Sequence, residues 1–293
     1  MKEFQCKGWK KFKQLLMDEI FDGEPASRRR FLFRGHGNSD WQLAPSFDRV
    51  FVDFEGGERD LLEDDLLENF KKECESEGHL RELLDDEISS LALAQHYGLP
   101  TRLLDWTESP YVAAFFAFQG HFQDAMFGKR MGETVAIWVL DPSSYIWSAK
   151  RGVQLVAPAS WDNDRLRKQA GWFTLSRTPQ RNLVDYVKAF KDAEGALRVI
   201  TIPSAAARIA IPDLDLMGIN HANLFSDLEG KARSAVTRTL LSFSLQPDVA
   251  MNVPRVSQTI SDEAATIISS TSKRKERTSF ESNPKESGVQ SKE

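Results

Sequence analysis

A helix-forming segment that is apolar on almost every side places the strongest constraint on the fold. It begins at Ser109-Pro110, where serine is a favoured N-cap and proline suits the first helical position. It continues as Tyr-Val-Ala-Ala-Phe-Phe-Ala-Phe over residues 111–118. A helix without a polar face is buried in a core rather than laid on a surface. We therefore predict that this helix is central and buried.

Short strand-like segments alternate with amphipathic helical segments along the chain. Strands are predicted at residues 31–33, 102–106, 134–140, 153–156, 172–175 and 196–202. Helices are predicted at residues 9–21, 58–77, 81–97, 163–170, 183–190, 204–218 and 228–242. This pattern predicts a mixed α/β domain of the α+β class.

The predicted organisation is an N-terminal helical region at residues 1–24, one domain at 25–245 and a disordered tail at 246–293. The tail is assigned from composition, because residues 257–293 are rich in Ser, Thr, Lys and Glu and have Phe280 as their only aromatic residue. Such a segment cannot bury enough apolar surface to offset the entropy of ordering.

Charge, cysteine usage and hydropathy restrict the class of protein. A net charge of -5 argues against a protein that coats nucleic acid non-specifically, although a local basic patch is compatible with it. Cys6 and Cys74 lie far apart without CxxC spacing, as expected for reduced thiols. No apolar run approaches the ~20 residues of a membrane helix, and the N-terminus lacks the apolar region of a signal peptide. We expect a cytoplasmic protein with no membrane partner.

Two polar segments indicate a binding pocket. Residues 95–107, Gln-His-Tyr-Gly-Leu-Pro-Thr-Arg-Leu-Leu-Asp-Trp-Thr, place many hydrogen-bonding side chains between two apolar helices. Residues 31–37, Phe-Leu-Phe-Arg-Gly-His-Gly, form a short apolar strand that ends in polar residues. Because every buried polar group needs a partner, packing alone does not account for this density. We predict a polar pocket at the mouth of a sheet.

The arginines of these segments have two interpretations each. The Arg34 guanidinium can bind a phosphate or carboxylate bidentately, or it can form a structural salt bridge, with Asp105 as the candidate partner. Arg102 and Asp105 lie three residues apart and face opposite sides of an extended segment. They are therefore not expected to pair, and each needs a partner or ligand of its own.

The remaining polar and aromatic residues of these segments leave similar alternatives open. His36 can act as a general acid or phosphate contact, or it can be structural. Trp106 offers a flat wall for a base or nicotinamide ring, or it belongs to the core. Thr107 can donate its hydroxyl to a ligand or help to cap the helix that follows. In the loop at residues 37–49, Trp41 and Leu43 are expected to fold back onto the core.

Familiar motifs of metal and nucleotide chemistry are absent from the sequence. The five histidines show no ligand spacing such as HExxH, so no metal is expected. No GxSxG, GxxxxGK[ST] or GxGxxG motif occurs, which leaves the common hydrolase, P-loop and dinucleotide-fold interpretations without support.

The polar segments resemble the FRG domain, a family named for its Phe/Tyr-Arg-Gly motif. The resemblance rests on Phe-Arg-Gly at 33–35, Trp-Gln-Leu-Ala-Pro-Ser-Phe at 41–47, residues 94–107 and the helix at 109–117. It continues at 217–220 and 223–230, where this chain has Ser226 and family members usually have proline. It covers roughly residues 25–240.

A more distant resemblance is to ADP-ribosyltransferases of the Arg-Ser-Glu type. These enzymes have a strand ending in Tyr-Arg-Gly and a Ser-Thr-Ser strand that leads into an Ala-rich helix. The resemblance implies an ADP-ribosyltransferase-like mixed sheet with flanking helices and NAD as substrate. It implies that Arg34 holds the NAD phosphates and Thr107 orients the nicotinamide ribose. No ExE motif follows residue 120 to supply the third, acidic element, for which the candidates are Glu133, Asp227 and Glu229.

These inferences define a predicted site and three function hypotheses. The predicted catalytic residues are Arg34, Asp105 and Thr107. The predicted ligand-binding residues are Arg34, Gly35, His36, His96, Tyr97, Arg102 and Trp106. The first hypothesis is an NAD-consuming or ADP-ribosyl-transferring effector of a bacterial toxin or phage-defence system, with a protein or nucleic-acid target. The second is a non-catalytic module that binds a nucleotide or nucleic acid. The third is a scaffold in which an Arg34–Asp105 pair only joins two elements.

Overall fold

A seven-stranded mixed sheet organises the chain, in a computed structural model that describes residues 1–21, 31–126, 132–157, 171–225 and 228–244. The strand order is β1-β7-β4-β2-β3-β6-β5, and every neighbouring pair is antiparallel except β1 and β7, which run parallel. The strands are β1 (Lys2–Gln5), β2 (Leu32–His36), β3 (Leu103–Thr107), β4 (Thr134–Leu140), β5 (Val153–Val156), β6 (Gly171–Ser176) and β7 (Leu197–Pro203). The predicted α+β class is confirmed.

Helices pack on both faces of this sheet. They are α1 (Trp9–Leu15), α2 (Ser46–Val50), α3 (Gly57–Glu73), α4 (Arg81–Asp85), α5 (Glu87–His96), α6 (Pro110–Met126), α7 (Leu183–Lys188), α8 (Ala207–Leu216), α9 (His221–Leu224) and α10 (Leu228–Ser244). Helix α1 continues as a π-helical turn, Leu16–Ile20. The predicted helix at 163–170 and the predicted tail at 246–293 lie outside the described residues.

Helix α6 is the central helix that its composition predicts. Ser109 caps it, since the Ser109 hydroxyl oxygen accepts a hydrogen bond from the Val112 amide at 3.2 Å. Its side chains Ala113, Ala114, Ala117 and Phe118 are buried in the largest core cluster, together with side chains of α1, β2 and α8. The small alanines let the helix backbone approach the sheet closely.

The closest approach is at Gly35 of β2. A Cβ atom at this position would lie 1.9 Å from the Ala113 carbonyl oxygen and 2.7 Å from the Ala117 amide nitrogen. Backbone atoms of a packed helix cannot move aside as a side-chain tip can, so only glycine fits here. The Phe-Arg-Gly motif therefore owes its glycine to packing against α6.

Two further clusters complete the core. Leu32, Trp138, Tyr186 and Leu197 belong to the cluster on the opposite side of β2, where α7 packs. A smaller cluster joins α3 and α5 to the outer strands, and it contains Leu67, Leu91, Leu103 and Phe173. By residue contacts the chain divides into two units, Met1–Leu241 and Ser242–Glu293.

The structure differs from the predicted elements in three places. Residues 1–24, predicted as helical, begin with the short polar strand β1, which pairs with β7 at the edge of the sheet. The predicted helix at 81–97 is two helices, because Asp86 breaks it and then caps α5 by accepting the Ser89 amide at 2.9 Å. The predicted loop at 37–49 runs into helix α2 from Ser46.

No described helix combines the length and the apolar composition that crossing a bilayer requires.

Candidate functional site

A cleft opens where strands β2 and β3 separate. Only one residue pair, Phe33 opposite Thr107, joins the two strands in register, whereas β2 pairs with β4 along its whole length. The cleft has a volume of about 920 Å³. Its lining comes from β2, the 37–42 loop, α2, β3, α6 and β6: Phe33, Arg34, Gly35, His36, Gly37, Asp40, Trp41, Gln42, Asp48, Arg49, Val52, Asp105, Trp106, Thr107, Ala113, Phe116, Gly171, Trp172 and Phe173.

Arg34 bridges the separated strands. Its Nη1 donates to the backbone oxygen of Asp105 at 2.9 Å and lies 3.3 Å from the carboxylate oxygen Oδ2 of the same residue. Its Nε lies 3.3 Å from His36 Nε2. Its Nη2 has no hydrogen-bond partner among the described residues, and the side chain is 19% exposed. The predicted Arg34–Asp105 pair therefore exists, and it leaves part of the guanidinium facing the cleft.

Asp105 is held in place by the polar motif around it. Gln95 Nε2 donates to Asp105 Oδ1 at 2.8 Å, and the Thr101 hydroxyl donates to Gln95 Oε1 at 2.6 Å. This chain of hydrogen bonds runs from Thr101 through Gln95 and Asp105 to Arg34. It explains why the 95–107 segment carries these polar types: they orient the guanidinium at the cleft.

His36 is a neutral residue at physiological pH. Its ring is buried, and Nδ1 lies 3.3 Å from Trp138 Nε1; a neutral imidazole accepts at one ring nitrogen only, so either this contact or the Arg34 contact at Nε2 is a hydrogen bond, not both. Burial lowers the His36 pKa to about 3, and the positive charges of Arg34 and Arg49 act in the same direction, while a backbone hydrogen bond with Trp41 opposes them. Near pH 7 the side chain is therefore not the protonated general acid that the sequence allowed.

Helix α2 adds two charged residues that the sequence analysis did not predict for the site. Arg49 donates to the Ala44 carbonyl oxygen, and its pKa is lowered by burial and by the neighbouring charge of Arg34. Asp48 forms an ion pair with Arg59, and burial raises the Asp48 pKa although Arg59 opposes that shift. The apolar residues at 47, 50 and 51 have helical spacing, and they are the feature of this loop-like stretch that could have predicted α2.

Aromatic rings supply the apolar part of the lining. Trp41 is 54% exposed, so the prediction that it folds onto the core is wrong, whereas Leu43 is fully buried as predicted. Trp172 Nε1 donates to Glu108 Oε1 at 3.0 Å. Phe116 of α6 completes this apolar side. The cleft thus offers cationic groups and flat rings in one space.

Trp106 and Thr107 have the structural roles that the sequence left open, in the core and near the start of α6, and both also line the cleft. Trp106 is buried in the core, and its Nε1 donates to the Thr174 hydroxyl at 3.1 Å. The Thr107 hydroxyl oxygen accepts from the Ser109 amide at 3.2 Å, next to the start of α6. The structure therefore brings six of the predicted site residues to one cleft: Arg34, Gly35, His36, Asp105, Trp106 and Thr107.

The structure places three other predicted site residues away from the cleft. His96 and Tyr97 lie at the exposed end of α5, and neither is part of the cleft lining. Arg102 is buried, donates to Asp60 Oδ1 at 2.8 Å and stacks over the Phe47 ring at 4.9 Å. As the strand alternation predicts, Arg102 does not pair with Asp105.

None of the acidic candidates for the third element of the transferase pattern is among the described residues that line the cleft. The Glu133 residue is outside the lining, and its backbone oxygen accepts from Ser204. Asp227 and the side chain of Glu229 lie outside the described residues. Among the described residues, no group of three His, Cys, Asp or Glu side chains is arranged to hold a metal ion.

Residues 29–125 match the sequence model of the FRG domain. The matched span holds β2, α2 and β3 and most of the cleft lining, and it leaves β6 outside. No curated protein and no solved structure shows a significant match to the chain.

Proposed function

We propose that the FRG domain of this chain binds a nucleotide in the cleft between β2 and β3, and that the nucleotide is NAD. One observation carries the proposal: two guanidinium groups, Arg34 and Arg49, share the cleft with the exposed indole of Trp41. Phosphates favour the first kind of group and a base or nicotinamide ring favours the second.

The pair of guanidinium groups, rather than the cleft as a whole, favours an anion, because the carboxylates of Asp40, Asp48 and Asp105 also line the cleft. The charge of Arg34 lowers the pKa of Arg49, so the two cations repel one another, and Asp105 offsets only part of that repulsion. His36, being neutral, adds no charge of its own. A pyrophosphate placed between the guanidinium groups relieves the repulsion and supplies acceptors for the unpartnered Nη2 of Arg34.

The size and rings of the cleft suit the remainder of a dinucleotide. Its volume of about 920 Å³ is at the upper end of the ~300–1,000 Å³ found for ligand pockets. Trp41, Trp172 and Phe116 provide faces or edges for heterocycles, and stacking of one base on an aromatic side chain contributes about 1–3 kcal/mol.

Cleavage of NAD is the chemistry that the resemblance to ADP-ribosyltransferases adds. The bond between ribose C1′ and the nicotinamide nitrogen breaks, and nicotinamide leaves with the electron pair. Water or a nucleophile of a target then attacks C1′ and releases a proton to solvent. Preorganised charges lower such a barrier. In this scheme Arg34 holds the phosphates, Thr107 orients the ribose and Asp105 faces the developing cation.

The direct test is release of nicotinamide from NAD by the purified full-length chain. Wild type is compared with Arg34→Ala and Arg49→Ala, and with Arg208→Ala as a matched control, because Arg208 is an exposed arginine of α8 outside the cleft. We expect turnover in wild type and Arg208→Ala and at least a tenfold loss in the two cleft variants. Equal turnover in all four proteins would contradict the assignment of the site.

Thermal stability provides the second readout, because a ligand that binds only the folded state raises the melting temperature by mass action. NAD should raise the melting temperature of wild type and of Arg208→Ala, and it should raise that of Arg34→Ala by much less. If NAD neither turns over nor stabilises the wild-type protein, the NAD proposal is wrong.

A binding module without chemistry is the second candidate, and two observations favour it. Both carboxylate oxygens of Asp105 already accept hydrogen bonds, from Gln95 and Arg34, and no glutamate lines the described part of the cleft. Stabilisation by NAD, ADP-ribose or a short oligonucleotide that depends on Arg34 but occurs without turnover would select this candidate.

The proposed role as a toxin or phage-defence effector follows only if NAD is consumed. Expression of the wild-type chain in bacteria should then lower cellular NAD and arrest growth, and Arg34→Ala should do neither. Growth arrest without a fall in NAD would point instead to modification of a protein or nucleic-acid target.

A further inference from the structure

A second pocket of the same domain carries four arginines. It has a volume of about 390 Å³, and it is lined by Glu55, Gly56, Arg59, Asp60, Arg102, Arg177, Thr178, Pro179 and Arg181. We propose that this pocket is an anion site for a small phosphate compound such as pyrophosphate, separate from the nucleotide cleft. The proposal does not depend on NAD as the ligand of the cleft.

Three buried guanidinium nitrogen atoms of this pocket lack a hydrogen-bond partner among the described residues. Arg59 and Arg102 are each more than nine-tenths buried, and both line the pocket. Arg59 Nε, Arg102 Nε and Arg102 Nη2 have no hydrogen-bond partner in the described part of the chain. A buried donor without a hydrogen-bond partner costs about 1–3 kcal/mol. An oxyanion that accepts hydrogen bonds from these groups removes that cost and so stabilises its complex with the protein.

Arg181 is held at the pocket by backbone carbonyl groups. Its Nη1 donates to the Phe51 carbonyl oxygen at 3.1 Å, and its Nη2 donates to the Phe54 carbonyl oxygen. Among the described residues, no carboxylate lies within salt-bridge distance of Arg181. The two carbonyls therefore fix the guanidinium at the rim of the pocket without neutralising it, as a preformed anion site requires.

The N-terminus of helix α3 opens on the same pocket. Gly56 precedes the first helical residue, Gly57, and no side chain caps this end. A Cβ atom at either glycine would have no neighbour within 4 Å, so the space in front of the helix is open. A helix N-terminus carries a partial positive charge of about half an elementary charge, which adds to the arginines in attracting an anion.

Carboxylates pair with three of the four arginines: Asp48 with Arg59, Asp60 and Glu63 with Arg102, and Glu63 and Glu87 with Arg177. Asp60, which pairs with the buried Arg102, has a side chain that is 67% exposed. Glu63 contacts both Arg102 and Arg177, and burial raises its pKa although both arginines oppose that shift. An anion can therefore displace Asp60 towards solvent and take its place on Arg102.

The chemistry of the lining separates this pocket from the nucleotide cleft. Its described lining holds no aromatic side chain, and guanidinium forks match the geometry of phosphate oxygens. The cleft can bind rings and phosphates together, whereas this pocket can bind phosphates alone. Its ligand is therefore a di- or polyphosphate rather than a nucleoside.

Pyrophosphate titration by calorimetry tests the proposal. The background is full-length Arg34→Ala, in which the cleft is disabled, so that failure of the nucleotide proposal does not affect the result. We expect saturable binding with a stoichiometry near one. Adding Arg181→Gln should weaken it at least tenfold, and adding Arg208→Gln should leave it unchanged, because Arg208 is exposed and outside both pockets. Absence of saturable binding, or equal binding after Arg181→Gln, overturns the proposal.

Chemical modification of the unaltered chain guards against misfolding of the Arg181 variant. Phenylglyoxal labels accessible arginines, and peptide mass spectrometry locates the label. Pyrophosphate should slow labelling of Arg177 and Arg181 several-fold and leave Arg208 unaffected. Labelling of Arg177 and Arg181 at an unchanged rate also overturns the proposal.

Discussion

The cleft around Arg34 and the cluster around Arg102 use the same side chain in opposite ways. Arg34 is 19% exposed, and its guanidinium is only partly paired at the edge of an open cleft. Arg102 is 1% exposed, and its guanidinium lies between Asp60, Glu63 and the ring of Phe47. The two residues belong to the same domain and to neighbouring segments of the sheet.

The difference shows how burial changes what a guanidinium group requires from its surroundings. Taking a charge out of water costs several kcal/mol, so a fully buried arginine persists only with nearby carboxylates and rings to offset that cost. A partly exposed arginine does not carry this cost and keeps donors for a ligand. Stability should therefore depend strongly on Arg102 and weakly on Arg34, whereas binding in the cleft should depend on Arg34.

The largest expected effect is the loss of unfolding free energy in Arg102→Ala. The change removes one of the two cations that contact the buried Glu63 and the packing of the guanidinium on the Phe47 ring, and we expect the unfolding free energy to fall by about 3–5 kcal/mol. Arg34→Ala should lower it by only about 1 kcal/mol, since that change removes hydrogen bonds at a partly solvated position. Urea unfolding followed by circular dichroism measures both. Similar losses for the two variants would show that Arg102 stabilises the fold no more than Arg34 does.

Gly35→Ala should cost about 1–3 kcal/mol, because the added methyl group overlaps backbone atoms of α6 at Ala113 and Ala117. It should also displace Arg34 and weaken ligand binding in the cleft. Gly57→Ala is the matched control, since a Cβ atom there meets nothing within 4 Å. Unfolding curves of the two variants make the test, and equal stability would mean that the β2–α6 contact is looser than described.

The neutral state of His36 predicts a pH dependence of stability. The unfolded state binds a proton near pH 6.5, whereas the folded state binds it only near pH 3, because of burial and the two neighbouring arginines. The contribution is complete above about pH 6.5 and is lost as the pH falls towards 3, by at most about 1.4 kcal/mol per pH unit.

His36→Asn removes this dependence while other titrating groups remain. The difference in unfolding free energy between wild type and His36→Asn, measured in urea from pH 7 to pH 4, should therefore shrink as the pH falls. A difference that is constant over this range would show that His36 is not held neutral in the cleft.

The smallest effect is expected for Tyr97→Ala. Its side chain is 73% exposed and outside both arginine pockets, so stability should change by less than about 0.5 kcal/mol. The NAD-induced rise in melting temperature should equal that of wild type. A reduced rise would extend the site from the cleft to the end of α5.

The sequence predicted the strands that carry the site more accurately than it predicted the residues that line it. Arg34, Gly35 and His36 follow an apolar strand, and Asp105 lies in a second strand, so both segments were expected at one pocket. Trp41 and Arg49 were not assigned to it, because they lie in a stretch whose Gly, Asn, Ser and Pro content indicates a loop without indicating its path. Arg102 was assigned to it because it lies in the polar segment 95–107 and needed a partner or ligand of its own.

The amino-acid sequence alone was sufficient to predict the α+β class and the buried helix α6 with its Ser109 cap. It also predicted that strand alternation keeps Arg102 and Asp105 apart, and it carried the resemblance to the FRG domain. These features depend on local hydrophobic period and short motifs, which a chain carries without tertiary context. Three features required the tertiary structure: β2 and β3 share one residue pair in register, Arg49 of α2 lies near Arg34, and Arg102 pairs with Asp60 of α3. Those contacts join residues distant in sequence, and burial and charge compensation in the folded state select among the partners available.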